Sequence, residues 1–404
     1  MTTASSLSRS RVMSIDLVRG LVMIIMALDH IRDFFLKVSS ASADNITLDP
    51  TNPATTTAGL FFTRWITHFC APTFLLLTGV SAYLYGQKRS KNELSLFLLK
   101  RGVFLVLVEM IIITLGWTYN PLYNLIILQV IWAIGASMIL MALLVRLPYS
   151  AILAIGLLIV FGHNLLDNPS ISDPLKGGML ADLAYFGHFA VYSIDSSHFI
   201  IVIYSFLPWA GVMAIGYCLG KWYGKTMDAE RRKKYLFGTG LILVLLFIVL
   251  RFLNVYGDPS QWSSQPRGAF YTLLSFLNTT KYPPSLLFLC MTIGPVLILL
   301  SVSEQWQNKF TSVLNVFGRV PMFYYILHFY IIHTMVVIVF YMQGYGAKDI
   351  VTPDVPFLFR PPTFGYPLPV LYLIWLIVIL ILYPLCKWYD KYKSTHHQWW
   401  LKYL

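Results

Sequence analysis

The sequence predicts an all-α membrane protein that crosses a bilayer about ten times, and three observations indicate this fold class. Of the 404 residues, 57% are hydrophobic and only 12% are charged, whereas soluble domains carry roughly 25% charged residues. The mean hydropathy is +0.65. The charged residues are concentrated between long apolar runs along the whole chain. A soluble domain with one anchor is therefore excluded, and helices are expected because they satisfy their own backbone hydrogen bonds in lipid.

Ten apolar runs approach the length that a helix needs to cross a hydrocarbon core of roughly 30 Å. The fifth run is short for a full span, and we expect it to be tilted or extended toward Asp167. The predicted transmembrane domain covers 14–392, between an N-terminal tail at 1–13 and a C-terminal tail at 393–404. The predicted spans are 14–36, 66–86, 94–118, 124–146, 149–165, 199–222, 235–256, 284–303, 320–342 and 367–389.

The distribution of Lys and Arg predicts that both termini are cytoplasmic. With the N-terminus inside, twenty Lys and Arg residues fall in inside segments and seven in outside segments, which is the bias that the positive-inside rule describes. This bias explains the net charge of +12. Nucleic-acid binding is not expected, because the chain has no continuous basic face. The long loops then face outward, at about 37–63, 166–198, 257–281 and 343–366.

The sequence carries no pattern typical of a metal or nucleotide site. Its four cysteines lie within or at the ends of apolar runs without paired spacing, so we expect no disulfide framework and no metal. A P-loop, a dinucleotide fingerprint and a G-x-S-x-G elbow are absent from the sequence. The first apolar run is long and lacks a cleavage site, which predicts a retained helix rather than a signal peptide.

Ionisable residues are concentrated in the first predicted span, where each one opposes insertion by roughly 2.5–3.5 kcal/mol. Because a helix turns about 100° per residue, Arg19 and His30 lie on nearly the same face. Asp29 and Asp33 share a face at i, i+4. Asp16 and Arg19 can form an ion pair at the cytoplasmic end. A purely structural ion pair at the helix start explains these two residues as well as a functional role does. The density of charge at the outer end predicts a functional cluster there.

Two histidines are the candidates for proton transfer. The second span opens near Arg64 and His68 on the outer side, where the first span ends. His30 and His68 can therefore lie at similar depth near the outer face. Imidazole titrates near neutral pH and suits general-base catalysis. Nearby carboxylates can select one tautomer, so a functional role is as well supported as a structural one.

Further polar residues lie within the other predicted spans. Glu109, deep in the third span, needs a partner at that depth, while Gln129 and Trp132 in the fourth span offer a hydrogen bond and an aromatic wall. His328 lies in the ninth span. The two prolines of 281–285 predict a rigid start to the eighth span. Several outer residues either line an acceptor cleft or are simple loop residues, namely His163, Asn164, Asp167, His188, Asp195 and His198.

Motifs spread over nearly the whole chain resemble a bacterial membrane family of unknown function that is related to the catalytic domain of heparan-α-glucosaminide N-acetyltransferase. The family is similar in plan to the wider transmembrane acyltransferases, which carry an Arg and a downstream His in their first helix. Arg19 and His30 match that pattern. The motifs are SIDLVRGL at 14–21, DHIRDF at 29–34, RW at 64–65, HFCAP at 68–72, LTG at 77–79, QVIWAIG at 129–135, PWAGVM at 208–213, KYPPS at 281–285 and GRVP at 318–321 followed by His328.

This resemblance implies a multi-pass enzyme of the bacterial cytoplasmic (inner) membrane. It implies that an acyl group, expected to be acetyl, passes from cytoplasmic acetyl-CoA to a sugar amine or hydroxyl on the other side, and it allows a homodimer. The chain departs from the mammalian enzyme in one respect. The catalytic histidine of that enzyme lies between the first two helices, whereas residues 37–63 contain no histidine. His30 or His68 must therefore take that role here.

The hypothesis assigns three sets of residues. His30, oriented by Asp29 or Asp33, removes the proton of the sugar acceptor or attacks the thioester, and His68 is the other candidate. The phosphates of coenzyme A would be bound by three cytoplasmic arginines, namely Arg19, Arg101 and Arg319. The positive-inside bias alone would also explain the presence of these arginines. Residues expected to bind the acceptor are Arg32, Arg64, Glu109, Gln129, Trp132 and His328.

The alternative function is a proton-coupled transporter or flippase for a small polar or lipid-linked substrate. Intramembrane Asp, Glu and His residues suit a proton relay equally well. A transporter often shows two related halves, and this sequence has no such internal symmetry, which favours the enzyme. A structural subunit of an envelope-polymer machine would not require so many buried ionisable groups.

Overall fold

The computed structural model describes residues 13–37, 49–352 and 357–402. The predicted N-terminal tail therefore lies, apart from Met13, outside the described residues, as do parts of two predicted outer loops. Helices dominate the N-terminal part as α1 (Met13–Phe35), α2 (Ala58–Thr67), α3 (Cys70–Gly86), α4 (Lys91–Val108), α5 (Thr114–Thr118), α6 (Val130–Leu144), α7 (Tyr149–Gly162) and α8 (Pro169–Ser172).

The C-terminal part is also helical, and in two of its helices a side chain caps the first turn. Ser285 accepts a hydrogen bond from the backbone of Phe288 and caps α13 directly after the predicted rigid stretch, and Asn308 caps α14. The helices are α9 (Met179–Ala181), α10 (Leu207–Leu219), α11 (Ala229–Leu253), α12 (Ala269–Leu277), α13 (Leu286–Ser303), α14 (Lys309–Arg319), α15 (Pro321–Met342) and α16 (Leu368–Thr395).

Among the described residues, six helical segments are long and apolar enough to cross a membrane. The membrane character and the largely helical fold are thus confirmed, while the count of ten spans and the position of the termini stay predictions. Helix α1 carries the charged residues of the site, and α6 is shorter than a full span. The six segments are Ala58–Gly86, Tyr149–Asp167, Ala229–Leu253, Leu286–Ser303, Pro321–Met342 and Leu368–Thr395.

Two predicted spans begin as β-strands, which corrects the expectation of a purely α-helical chain. Strand β1 (Leu125–Leu128) occupies the start of the predicted span 124–146, and β3 (Phe199–Val202) occupies the start of 199–222. These strands pair in parallel, and β2 (Ala190–Ser193) pairs antiparallel with β3. Short apolar runs rich in Ile and Val fit a strand or a buried helix equally well, so periodicity alone could not separate them.

Small residues allow the helices to approach closely. A Cβ on Gly20 of α1 would lie 1.9 Å from the carbonyl oxygen of Leu314 in α14, and one on Gly318 would lie 1.8 Å from that of Asp16. Between α3 and α10, a Cβ on Gly216 would lie 2.2 Å from a backbone oxygen. Such close packing by small residues is typical of helices in membranes.

Candidate active site

A cavity of about 1170 Å³ that is lined in part by charged side chains lies at the end of the bundle where α1 finishes. Its wall combines α1, α2, strands β1 and β3, and the stretch that leads into α13. A concave site of this size with convergent polar groups is the usual setting for ligand binding. The predicted site residues that line it are Asp29, His30, Arg32, Asp33, Arg64, His68 and Gln129.

Asp29 is the centre of a buried ion-pair network. Arg32 approaches it from the next turn of α1, with Nη1 at 3.0 Å from Oδ1, and Arg64 of α2 pairs with its other oxygen. Arg64 also donates to the hydroxyl of Tyr282 at 3.3 Å, while Arg32 donates to Asp33 at 2.5 Å. Removing one partner of such a buried network leaves an uncompensated charge, which is strongly destabilising. The network therefore favours one arrangement of α1, α2 and the segment that contains Tyr282.

His30 lies against His328 rather than against a carboxylate. Its Nδ1 is 2.6 Å from Nε2 of His328, and its ring stacks on Phe329 with centroids 4.4 Å apart. We expected Asp29 or Asp33 to orient His30, and this expectation is wrong. Both carboxylates bind arginines, because guanidinium groups from the adjacent turn and from α2 can reach them.

The hydrogen-bond chain defines the tautomers of both rings. Nδ1 of His328 lies 3.3 Å from the carbonyl oxygen of Tyr324, which can only accept, so this nitrogen carries the proton. In a neutral ring, Nε2 of His328 then accepts, and Nδ1 of His30 donates to it. The remaining nitrogen of His30, Nε2, is an unprotonated base on a residue that lines the cavity. His328 therefore holds the ring of His30 in an orientation that leaves this nitrogen free to accept a proton.

His68 reaches the same cavity from the end of α2, so both predicted histidines line it. The side chain is only 3% exposed and packs against Phe288. Its Nδ1 has no hydrogen-bond partner among the described residues. The two histidines share the cavity but differ in environment, since only His30 has a second histidine as its partner.

Glu109 lies within the bundle and stabilises the N-terminus of α6. It is fully buried at the start of a π-helical turn (Glu109–Ile113). Its carboxylate accepts hydrogen bonds from the backbone N–H groups of Gln129 at 3.3 Å and Trp132 at 3.0 Å. These groups belong to the N-terminus of α6, where unpaired N–H groups favour an acceptor. The indole of Trp132 donates to the carbonyl of Tyr204 at 3.1 Å.

The three arginines expected to meet coenzyme A are not among the residues lining this cavity. The predicted pair of Arg19 and Asp16 forms at 3.1 Å, and Arg19 also donates to the backbone of Gly318. Arg319 pairs with Asp390 of α16 at 2.6 Å and lines a second cavity of about 460 Å³. Arg101 lies in α4.

Sequence reasoning did not predict several polar residues of the cavity as site residues. Lys281 and Tyr282 belong to the 281–285 motif, which was interpreted as a rigid helix start and as part of the family resemblance, although a Lys just before a Tyr and two prolines is a signal that could have been followed. Arg360 and Tyr204 come from distant segments and have no sequence signal of their own. His188, one of the outer candidates, also lines the cavity.

The described residues contain no group of three or more His, Cys, Asp or Glu side chains placed to hold a metal ion. All four cysteines are buried with free thiols. The described residues that line the cavity include histidines, arginines, lysines, aspartates and tyrosines.

The fold and the cavity define a helical membrane protein in which two histidines interact beside a cavity lined by charged side chains. The family model described as heparan-alpha-glucosaminide N-acetyltransferase, catalytic, matches residues 11–256, and the chain belongs to this family. Membership implies an acyltransferase. No curated protein matches the chain. The matched region includes His30 and His68, while Lys281 and His328 lie beyond it.

Proposed function

We propose that the protein transfers an acyl group, expected to be acetyl, from cytoplasmic acyl-CoA to a sugar-type acceptor on the extracytoplasmic side of a bacterial cytoplasmic membrane. The observation that carries this proposal is the contact between His30 and His328 at the wall of the cavity. It supplies an oriented base, and family membership supplies the reaction type.

In this mechanism His30 acts as general base. Its Nε2 takes the proton of an acceptor hydroxyl or neutral amine, and the freed oxygen or nitrogen attacks the thioester carbonyl. The carbon–sulfur bond breaks, and the thiolate of coenzyme A leaves with the proton that His30 holds. His328 stabilises the imidazolium because it accepts from Nδ1 of His30 throughout. A route in which His30 itself first carries the acyl group uses the same geometry.

The donor reaches the site along α1. Arg19 and His30 are eleven residues apart, or about 16 Å along the helix axis. We propose that Arg19, Arg101 and Arg319 contact the phosphates of coenzyme A at the cytoplasmic end, while the thioester extends toward His30. Because the Arg319 side chain is 30% exposed and borders the second cavity together with Lys309, it is the arginine best placed for a first contact.

The acceptor is bound by the outer part of the cavity. Arg32 and Arg64 line it, and their ion pairs with Asp29 hold their guanidinium groups in place for hydrogen bonds to sugar hydroxyls. Gln129 presents its side chain to the same space. Glu109 and Trp132 contribute indirectly through the α6 terminus, and His328 acts through His30.

The test is acyl transfer by the purified protein in detergent, with labelled acetyl-CoA and a panel of sugar acceptors. We expect His30→Gln to abolish transfer while acetyl-CoA still binds. His198→Gln, which alters an exposed loop histidine, is the matched control and should keep full activity. Normal transfer by both His30→Gln and His68→Gln would refute the mechanism. Substrate uptake into proteoliposomes without release of coenzyme A would instead establish the transporter.

A further inference from the structure

Among the described residues that line the cavity, basic side chains outnumber carboxylates. Asp29 and Asp33 are already engaged by arginines, and Asp49 accepts from the hydroxyl of Thr51 at 2.7 Å. Three carboxylates thus face five basic residues along the wall. The basic residues are Arg32, Lys37, Arg64, Lys281 and Arg360.

Lys281 is a cavity cation that has no carboxylate within ion-pair distance among the described residues. Its side chain is only 8% exposed, yet it lines the cavity. The rings of Tyr282 and Tyr204 lie near its Nζ, with centroids at 5.1 Å and 5.7 Å. Aromatic faces attract an ammonium group weakly, whereas burial of an unpaired charge is strongly unfavourable. An anion at this place would satisfy the ammonium group.

The backbone around Lys281 is held rigidly. Asp258 accepts from the backbone N–H and the hydroxyl of Thr280, both at 2.9 Å, and from the hydroxyl of Ser285 at 2.6 Å. Lys281 lies between these two anchors. The position of its Cα is therefore determined by the fold, and a ligand would not have to order the segment before binding.

Arg360 provides a second positive group on the wall. It donates to the carbonyl oxygens of Phe34 at 2.9 Å and Leu36 at 3.3 Å, at the end of α1. Carbonyl groups orient the guanidinium group but do not neutralise its charge. Lys281 and Arg360 both contribute to a positive field over the cavity that contains His30.

We propose that Lys281 is the centre of an anion subsite and that the acceptor carries a negatively charged group, such as a carboxylate, sulfate or phosphate ester, which Lys281 binds. The inference rests on the proposed function, since the bound sugar must present its nucleophile to His30. The anion belongs to the acceptor rather than to coenzyme A, because Lys281 lies at the end of the bundle opposite to Arg19 and Arg319. An anionic sugar is thus the preferred substrate class.

The experiment compares two sugars that differ in one charge, D-glucuronate and D-glucose, by calorimetric titration of the full-length protein in neutral detergent. We expect glucuronate to bind about tenfold more tightly, in line with a charge-assisted hydrogen bond. Lys281→Gln should abolish this preference, and Lys281→Arg should retain most of it. Lys176→Gln, the same change at an exposed outer lysine, is the matched control and should bind as the wild type does.

Equal affinity of the wild type for both sugars would overturn the proposal, even if no variant at Lys281 folds. Loss of coenzyme A binding in Lys281→Gln, with the sugar preference intact, would assign the lysine to the donor and also overturn it. A glucuronate preference that disappears when phosphatidylglycerol is added would assign the site to a lipid headgroup. Acetyl transfer by His30→Gln tests the proposed function separately, because sugar binding does not require that residue.

Discussion

Nδ1 of His30 lies 2.6 Å from Nε2 of His328, although 298 residues separate them in the chain. This contact joins the first helix of the bundle to α15 and leaves one ring nitrogen of His30 for the cavity. A single interaction therefore couples the packing of two helices to the orientation of the proposed base.

The first prediction concerns the coupling of these histidines. His328→Gln should lower the acyl-transfer rate constant by roughly 10²-fold without a large change in the KM of the donor, because the base loses its orientation. The double variant His30→Gln/His328→Gln should be no slower than His30→Gln alone, since residues that act as a unit are non-additive. Additive losses in single-turnover kinetics would contradict this assignment. His333 lies on the same helix as His328, contacts the backbone carbonyls of Gly116 and Leu358 and serves as a comparison site.

The second prediction tests the ion-pair network. Asp29→Asn leaves Arg32 and Arg64 without their shared carboxylate and should destabilise the protein by about 3–5 kcal/mol. Thermal unfolding in detergent measures the effect. Asp173→Asn removes an exposed carboxylate that pairs with Lys176 and should change stability by less than about 1 kcal/mol. Similar melting temperatures for the two variants would show that the network contributes little.

The third prediction concerns the crossing of α1 and α14. Gly318→Ala places a Cβ 1.8 Å from the backbone oxygen of Asp16, so the helices must separate and the protein should lose stability and yield. Gly238→Ala is the matched control, because a Cβ at that helical position meets nothing within 4 Å. It should be neutral or stabilising by about 0.5–1 kcal/mol. If Gly318→Ala folded as well as Gly238→Ala, the close approach would be disproved.

The fourth prediction tests whether Glu109 stabilises the fold or binds the substrate. Glu109→Ala removes the acceptor that caps the N-terminus of α6 and should destabilise the protein by about 0.5–2 kcal/mol. The KM for the acceptor should stay unchanged in the folded fraction, because the carboxylate binds the backbone of Gln129 and Trp132. A large rise in that KM with unchanged thermal stability would restore a direct role in binding.

The fifth prediction is a pH dependence in the outer hairpin. The hydrogen bond to Asp195 raises the pKa of His198 above its ordinary value. A raised folded-state pKa adds stability that is present at low pH and is lost as pH rises through the folded-state pKa. The amide of Ile194, which donates to the carbonyl of His198, should exchange more slowly, after correction for intrinsic rates, at pH 5 than at pH 8. His198→Gln should remove this difference, and a pH-independent protection in the wild type would contradict it.

The order of residues along the chain was sufficient to predict most of the polar cluster at the outer ends of the first two spans. Asp29, His30 and Asp33 follow one another within a turn or so of α1, and His68 enters from the same side, so local geometry brings them to one cavity. The hydrogen-bond partner of His30 could not be predicted from the sequence. His328 had been assigned to acceptor binding, and only the packing of α15 on α1 shows that its ring meets that of His30.

The sequence by itself determined the membrane character, the positions of most helices, the pairing of Asp16 with Arg19 and the start of α13 after its prolines. These features depend on hydropathy, helical periodicity and backbone restrictions within a few residues. Only the tertiary structure decided that 125–128 and 199–202 are strands, since a short apolar run becomes a strand by finding a partner. It also decided that Lys281 lines the cavity of His30, because contacts between distant segments depend on how helices pack.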